Sequence, residues 1–310
     1  MSRKRTSILI PASYAAAAAV SSSLEVDIPE QLQEFSKSSL SLADMNKMML
    51  DGVLPEEARI DWKVPRESCP IPIHQQIIVF CSFFEHGFGV PCCSFLCGLH
   101  FFFGIELVNL NPNSILHIAI FVYLCEAFLG VLPHFDLFRH LFVLRPLPTT
   151  ENQVAIGGIG VQLRKKEVYI NIPLKTENKN WKDEWFYCDN PPPVLADFTG
   201  AKAIPQAHWT ERPDPTNPQV VALLKKIADL KAEGVDGIIV AKSFIIRRVQ
   251  PQKLQCHPAW DYVNEDETRE VPDPPNGELR RRRLVKMFEG EILQDHSLVS
   301  KAYNKGTLRA

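Results

Sequence analysis

The chain has 310 residues, 45% hydrophobic and 23% charged, with a formal net charge of −2. That composition suits one or two globular domains with a sizeable core, and so small a net charge excludes neither nucleic-acid nor membrane partners. The eight cysteines follow no evenly spaced pattern, which argues against a secreted disulfide scaffold and for a reducing, intracellular setting, nuclear or cytoplasmic.

Residues 1–40 read as a disordered Ser/Ala-rich tail with a short helix near 30–35. Arg3-Lys4-Arg5 before an apolar stretch has the outline of a signal peptide. Pro11, Ser13 and the alanine run make that stretch a poor hydrophobic region, so secretion is not expected. Residues 41–70 form a linker containing a short helix at 42–50 and punctuated by prolines from Pro55 onward.

The core domain is expected over 71–190. No Lys or Arg occurs between Glu67 and Phe138. Apolar runs at 75–84 and 91–103 end at Gly87 and Gly104. Asn111-Pro112 then gives a helix start, with Asn as N-cap and Pro at the first helical position. That helix should run to Leu129, stop at Gly130 and be buried on all sides, since it is apolar nearly all round. Residues 115–132 number 18, just enough to cross a bilayer. An integral membrane protein is therefore one alternative. Glu126 inside the stretch and the absence of basic anchors before it favour a protein core. A short helix is expected at 135–142.

After Pro148 the pattern alternates. Residues 154–163 and 168–172 should form a hairpin turning at 164–167, with 185–188 as a third strand. The fold class is α+β: a helical core with a small antiparallel β-meander, plus a looser helical C-terminal extension. Residues 191–217 are a Pro-rich linker. Asn217-Pro218 caps a helix with one apolar face (Val220, Leu223, Leu224, Ile227, Leu230) ending at Gly234. Residues 237–249 are ambiguous between helix and strand. The extension continues to 292 through a charged helix at 278–292, and 293–310 form a tail.

Several strings carry a family likeness: SFFEHGFGVP, LCGLHFFFGIELVNLNPNSILHIAIFVYLCEAFLGVLPHFDLFRHLF, GGIGVQLR and NKNWKDEWFYC. They resemble the plant gypsy-type transposon, or transposase, domain. A later string, SFIIRRVQPQKLQCHPAWDY, is similar to the segment on the C-terminal side of that domain in retrotransposon-associated plant proteins. The resemblance covers about 80–262 and implies an origin in a mobile element. It brings no established catalytic residues.

A metal-dependent transposase, the second alternative, needs three carboxylates converging on two metal ions. Glu106, Glu126, Asp136, Asp183 and Glu184 are available, but neither a nuclease-type sheet nor suitable spacing accompanies them. Cys93 and Cys97 lie one helical turn apart with His100 three residues on, which makes these three the best metal candidate. Cys92 beside them and the distant Cys256-His257 pair do not complete a zinc pattern. Buried apolar thiols are the simpler reading. Gly157-Gly158-Ile159-Gly160 precedes a strand rather than a helix, so it reads as a turn and not a phosphate loop.

Arg247 and Arg248, with Arg280, Arg281, Arg282 and Arg283, are the candidate nucleic-acid contacts. Trp181, Trp185, Phe186 and Tyr187 are suited to stacking on bases or to core packing. No cofactor is expected. Together these features favour a mobile-element-derived structural or interaction protein, with weak nucleic-acid association and self-association as its candidate partnerships.

Overall fold

The computed structural model describes residues 34–50, 54, 61–73, 75–147, 155–164, 169, 180–192 and 194–244. The expectations for the tail before 34, for the hairpin strand at 168–172 apart from Tyr169, and for everything beyond 244 lie outside them.

The order of elements is α1 (Leu42–Leu50), β1 (Trp62–Lys63), β2 (Gln76–Phe80), α2 (Cys81–Glu85), α3 (Ser94–Phe103), α4 (Pro112–Tyr123), α5 (Phe135–Leu141), β3 (Phe142–Pro146), β4 (Ile159–Leu163), β5 (Trp185–Asp189), α6 (Pro218–Ala232) and α7 (Gly237–Phe244). The α+β class holds. Its strands fall into two small antiparallel sheets, one ordered β1-β5-β2 and one pairing β3 with β4.

Helix α4 is the centre of the core. Asn111 accepts a hydrogen bond from the Ser114 amide at 2.8 Å, and Pro112 comes next as the first helical residue. This satisfies one orphan donor of the first turn. The helix continues as a π-helical turn over Leu124–Leu129 and ends at Gly130, whose φ of 67° is the left-handed conformation that glycine adopts without strain. Of the apolar stretch Pro112–Leu129, 89% is buried inside the protein. Helix α4 packs against α2, α7 and β4, and Phe121 stacks on Phe95 at 5.5 Å and meets Phe138 edge-on at 5.2 Å.

The second sheet is fastened to the start of α4. The Ser114 hydroxyl accepts from the Val161 amide at 2.8 Å, and Leu110 bridges to Ile159. Strand β3 continues from α5 without a turn, the helix ending at Leu141, and its register runs from Phe142 opposite Leu163 to Pro146 opposite Ile159. So, among the described residues, β4 pairs with this strand N-terminal to it.

The segment 185–188, expected as the third strand of the meander, lies in β5, the middle strand of the other sheet. It pairs with β2 from Phe80 opposite Trp185 to Gln76 opposite Asp189, and with β1 through Trp62 opposite Cys188. Residues just before α1 lie along this strand: Ser39 donates to the Asp183 carbonyl at 2.8 Å, and Trp185 Nε1 donates to the Ser36 carbonyl at 2.9 Å.

The C-terminal elements join the same core. Helix α6 buries Val220, Leu223, Ile227 and Leu230, with Asn217 capping it onto the Gln219 amide at 3.0 Å. Helix α7 resolves the ambiguity at 237–249 in favour of helix over its described part. The Tyr123 and Ser243 hydroxyls lie 2.8 Å apart, and the Phe244 ring is 5.7 Å from that of Tyr123. Gly87, with φ of 94°, lets Phe244 approach so closely that a β-carbon there would sit 2.6 Å from the ring.

Candidate functional site

The chemistry-bearing side chains cluster first at the N-terminus of α3. Cys93 is the N-cap residue, with extended backbone and no side-chain cap. Cys92 is buried, whereas Cys93 and Cys97 are half-buried. The Cys92 and Cys97 side chains hydrogen-bond to each other. That bond holds the Cys97 thiol below the usual range, while burial raises Cys92. Burial also pushes Cys93 up to about 12.

His100 faces the interior. It is 2% exposed, and its Nδ1 lies 3.0 Å from the Ile105 carbonyl. Burial pushes it down to about 4, so the ring is neutral near pH 7 and Nδ1 carries the donated proton. The expected set Cys93, Cys97 and His100 is therefore not assembled for a metal. Cys97 is turned to Cys92, and His100 is committed to a carbonyl in the core. Among the described residues no group of three or more His, Cys, Asp or Glu side chains is placed to hold a metal ion.

The carboxylates are dispersed into separate contacts. Glu106 accepts from the Thr199 amide at 3.1 Å, the Thr199 hydroxyl and the Gly200 amide at 3.3 Å, and burial raises its carboxyl. Asn109 completes this clasp. Its side chain accepts from the Glu106 amide at 2.7 Å and donates to the carbonyls of Ala155 and Ala201. Glu126 is buried on the π-helical turn. Asp136 lies 3.6 Å from Arg139, and Asp183 accepts from the Ser36 hydroxyl at 2.6 Å. Glu184 is raised by burial, with Glu85, Asp44 and Asp183 adding repulsion.

The glycine-rich turn is occupied by the protein itself. The Ala155 and Ile156 amides donate to the two carboxylate oxygens of Glu34 at 2.7 and 3.1 Å. The Gly157 amide donates to the Val108 carbonyl at 2.8 Å. Gly157 has φ of 68°, and a β-carbon there would meet the Trp181 ring at 2.6 Å. This turn packs an aromatic ring and leads into β4, as the strand pattern after it implies. The Glu34 contact has no signal in the sequence, and 121 positions separate the partners.

The four aromatics go to packing. Trp185 and Phe186 are fully buried, and Trp181 meets Phe80 edge-on at 4.8 Å. The Tyr187 hydroxyl accepts from the Ile71 amide at 2.8 Å. Arg164 spans three carbonyls, donating to Arg139, Thr210 and Glu211 at 3.0, 3.0 and 2.9 Å. Arg247, Arg248 and Arg280 to Arg283 lie outside the described residues.

Residues 77–146 match the family model described as "Putative gypsy type transposon". The likeness to a transposon family is confined to this segment. No curated protein and no solved structure matches the chain. The matched segment runs from within β2 to the last residue of β3 and holds α4 between them. Both of its strands pair outside it, β2 with β5 and β3 with β4.

Proposed function

We propose that the chain is a structural or interaction protein derived from a mobile element, of the plant retrotransposon kind. It would work by packing and assembly inside the cell, in the nucleus or cytoplasm, with weak association to nucleic acid. The observation that carries this reading is the transposon-related match over 77–146, set in a core whose carboxylates hold loops and helix ends. Glu106 on Thr199 and Gly200, Asp183 on Ser36 and Glu34 on the glycine-rich turn are the instances. A strand-transfer site needs such groups converging on metal ions instead.

Nucleic acid would meet Arg247, Arg248 and Arg280 to Arg283, which no base-reading motif accompanies. Binding through them is electrostatic, insensitive to sequence and steeply salt-dependent. Titrating duplex DNA and single-stranded RNA at two salt concentrations tests this. Replacing Arg280 to Arg283 with Gln should lower the salt slope on duplex DNA by about three to four units. Absence of binding at low salt removes nucleic acid from the reading. Metal-dependent nicking of DNA that one carboxylate substitution abolishes would replace it with the transposase alternative.

A further inference from the structure

The N-terminus of α3 places two thiols where a helix normally puts a pair of apolar side chains. With Cys93 as N-cap, Cys92 is the residue before the cap and Cys97 the fourth residue of the helix. Those two positions meet as the hydrophobic staple that fixes the angle at which the chain enters a helix. In this chain both are cysteines, and their side chains touch. Cys92 is 5% exposed, whereas Cys97 is half-buried.

We propose that Cys92 and Cys97 form a peroxide-responsive dithiol, with the half-buried Cys97 as the attacking thiol and the buried Cys92 as the resolving thiol. Two features make Cys97 the nucleophile. It lies at the second turn of α3, near the positive end of the helix dipole, and it accepts the Cys92 S–H, which favours its thiolate. The other thiols near the pair are less suited. Cys93 is raised to about 12 by burial, and Cys188 on β5 is buried in the sheet.

The co-reactant is a hydroperoxide. The Cys97 thiolate attacks its terminal oxygen and breaks the O–O bond, giving a sulfenic acid and an alkoxide or hydroxide that takes a proton from water. The Cys92 sulfur, losing its proton, then attacks the Cys97 sulfur and displaces hydroxide, which leaves as water. Two thiols lose two electrons in total, and one hydroperoxide becomes an alcohol, or water, plus a second water. The product ties the residue before α3 to its second turn.

The test uses the full chain. The protein is treated with hydrogen peroxide, unfolded in urea with N-ethylmaleimide present to block the remaining thiols, and digested with chymotrypsin. Trypsin does not serve, because no Lys or Arg lies between Glu67 and Phe138, whereas Phe95 and Leu96 offer cleavage between the cysteines. The expected result is loss of two free thiols and a reductant-sensitive link between Cys92 and Cys97, with Cys93 carrying the maleimide. In Cys92→Ser, which keeps a hydrogen-bond donor at that position but no resolving thiol, the sulfenic acid on Cys97 persists and is captured by dimedone, an adduct that the unsubstituted protein lacks. The proposal is overturned if both cysteines stay alkylatable after peroxide, or if the link joins Cys93 to Cys97 or Cys92 to Cys188. Absence of the dimedone adduct from the folded variant also overturns it. Should the variant fail to fold, the mapping on the unsubstituted chain decides alone.

Discussion

His86 and His100 are 6% and 2% exposed, and each places Nδ1 on a main-chain carbonyl, Ser82 at 2.6 Å and Ile105 at 3.0 Å. Burial pushes both down to about 4, whereas an unfolded histidine titrates near 6.5. Above that value both states are neutral and the stabilisation is complete. As pH falls from 6.5 toward 4 the unfolded chain takes up protons that the native state refuses, so stability is lost with acidification. At pH 5 each histidine should have cost about 2 kcal/mol. Glu106 acts in the opposite sense. Its raised carboxyl favours the folded state at low pH and gives that up as pH rises above 4.5. The urea midpoint should therefore drop between pH 7 and pH 5, and drop less in a His86→Gln, His100→Gln double variant. An unchanged midpoint in the parent protein would refute the assignment. Glu106→Ala, which orphans three donors on Thr199 and Gly200, should cost about 1–3 kcal/mol. Faster amide exchange at those two residues would accompany the loss.

At the scale of elements, α4 carries the largest prediction. Phe121 is fully buried among Phe95, Phe138 and Phe142, so Phe121→Ala should destabilise by about 3–5 kcal/mol in urea titrations. A cost below one would mean that the helix is not the centre of the core. Asn111→Ala, which removes the cap, should cost only about 1 kcal/mol. These helix ends were legible because capping is local. Asn111-Pro112, Gly130, Asn217-Pro218 and Gly234 each announce a boundary through the residue that stands there. The strands were less legible. Phe142–Pro146 continues the apolar run of α5, and a short apolar run does not distinguish strand from buried helix. Strand partners are chosen by packing across the chain, so Trp185–Asp189 went to β2, more than a hundred positions away, and no pattern near it said so. The thiol pair was half legible. Spacing put Cys93 beside Cys97 on one helix face, but the cap at Cys93 turned Cys92 toward Cys97 instead. The Glu34 and Glu106 clasps left no trace in the sequence, since a carboxylate bonded to distant amides looks like any surface acid.

For the whole molecule, the segment 77–146 that matches the transposon family model holds the central helix but not the strands that close its sheets. A fragment of those residues alone should lack dispersed amide resonances, whereas 34–244 should show them. A folded 77–146 fragment would mean that β4, β5, α6 and α7 are ornament. The long apolar stretch through α4 is buried as a protein core, although by length and composition alone it is long and apolar enough to cross a membrane. Alkaline carbonate extraction of cells expressing the full chain measures this directly. The account predicts release of the protein into the supernatant, and retention in the carbonate-washed membrane pellet would contradict it.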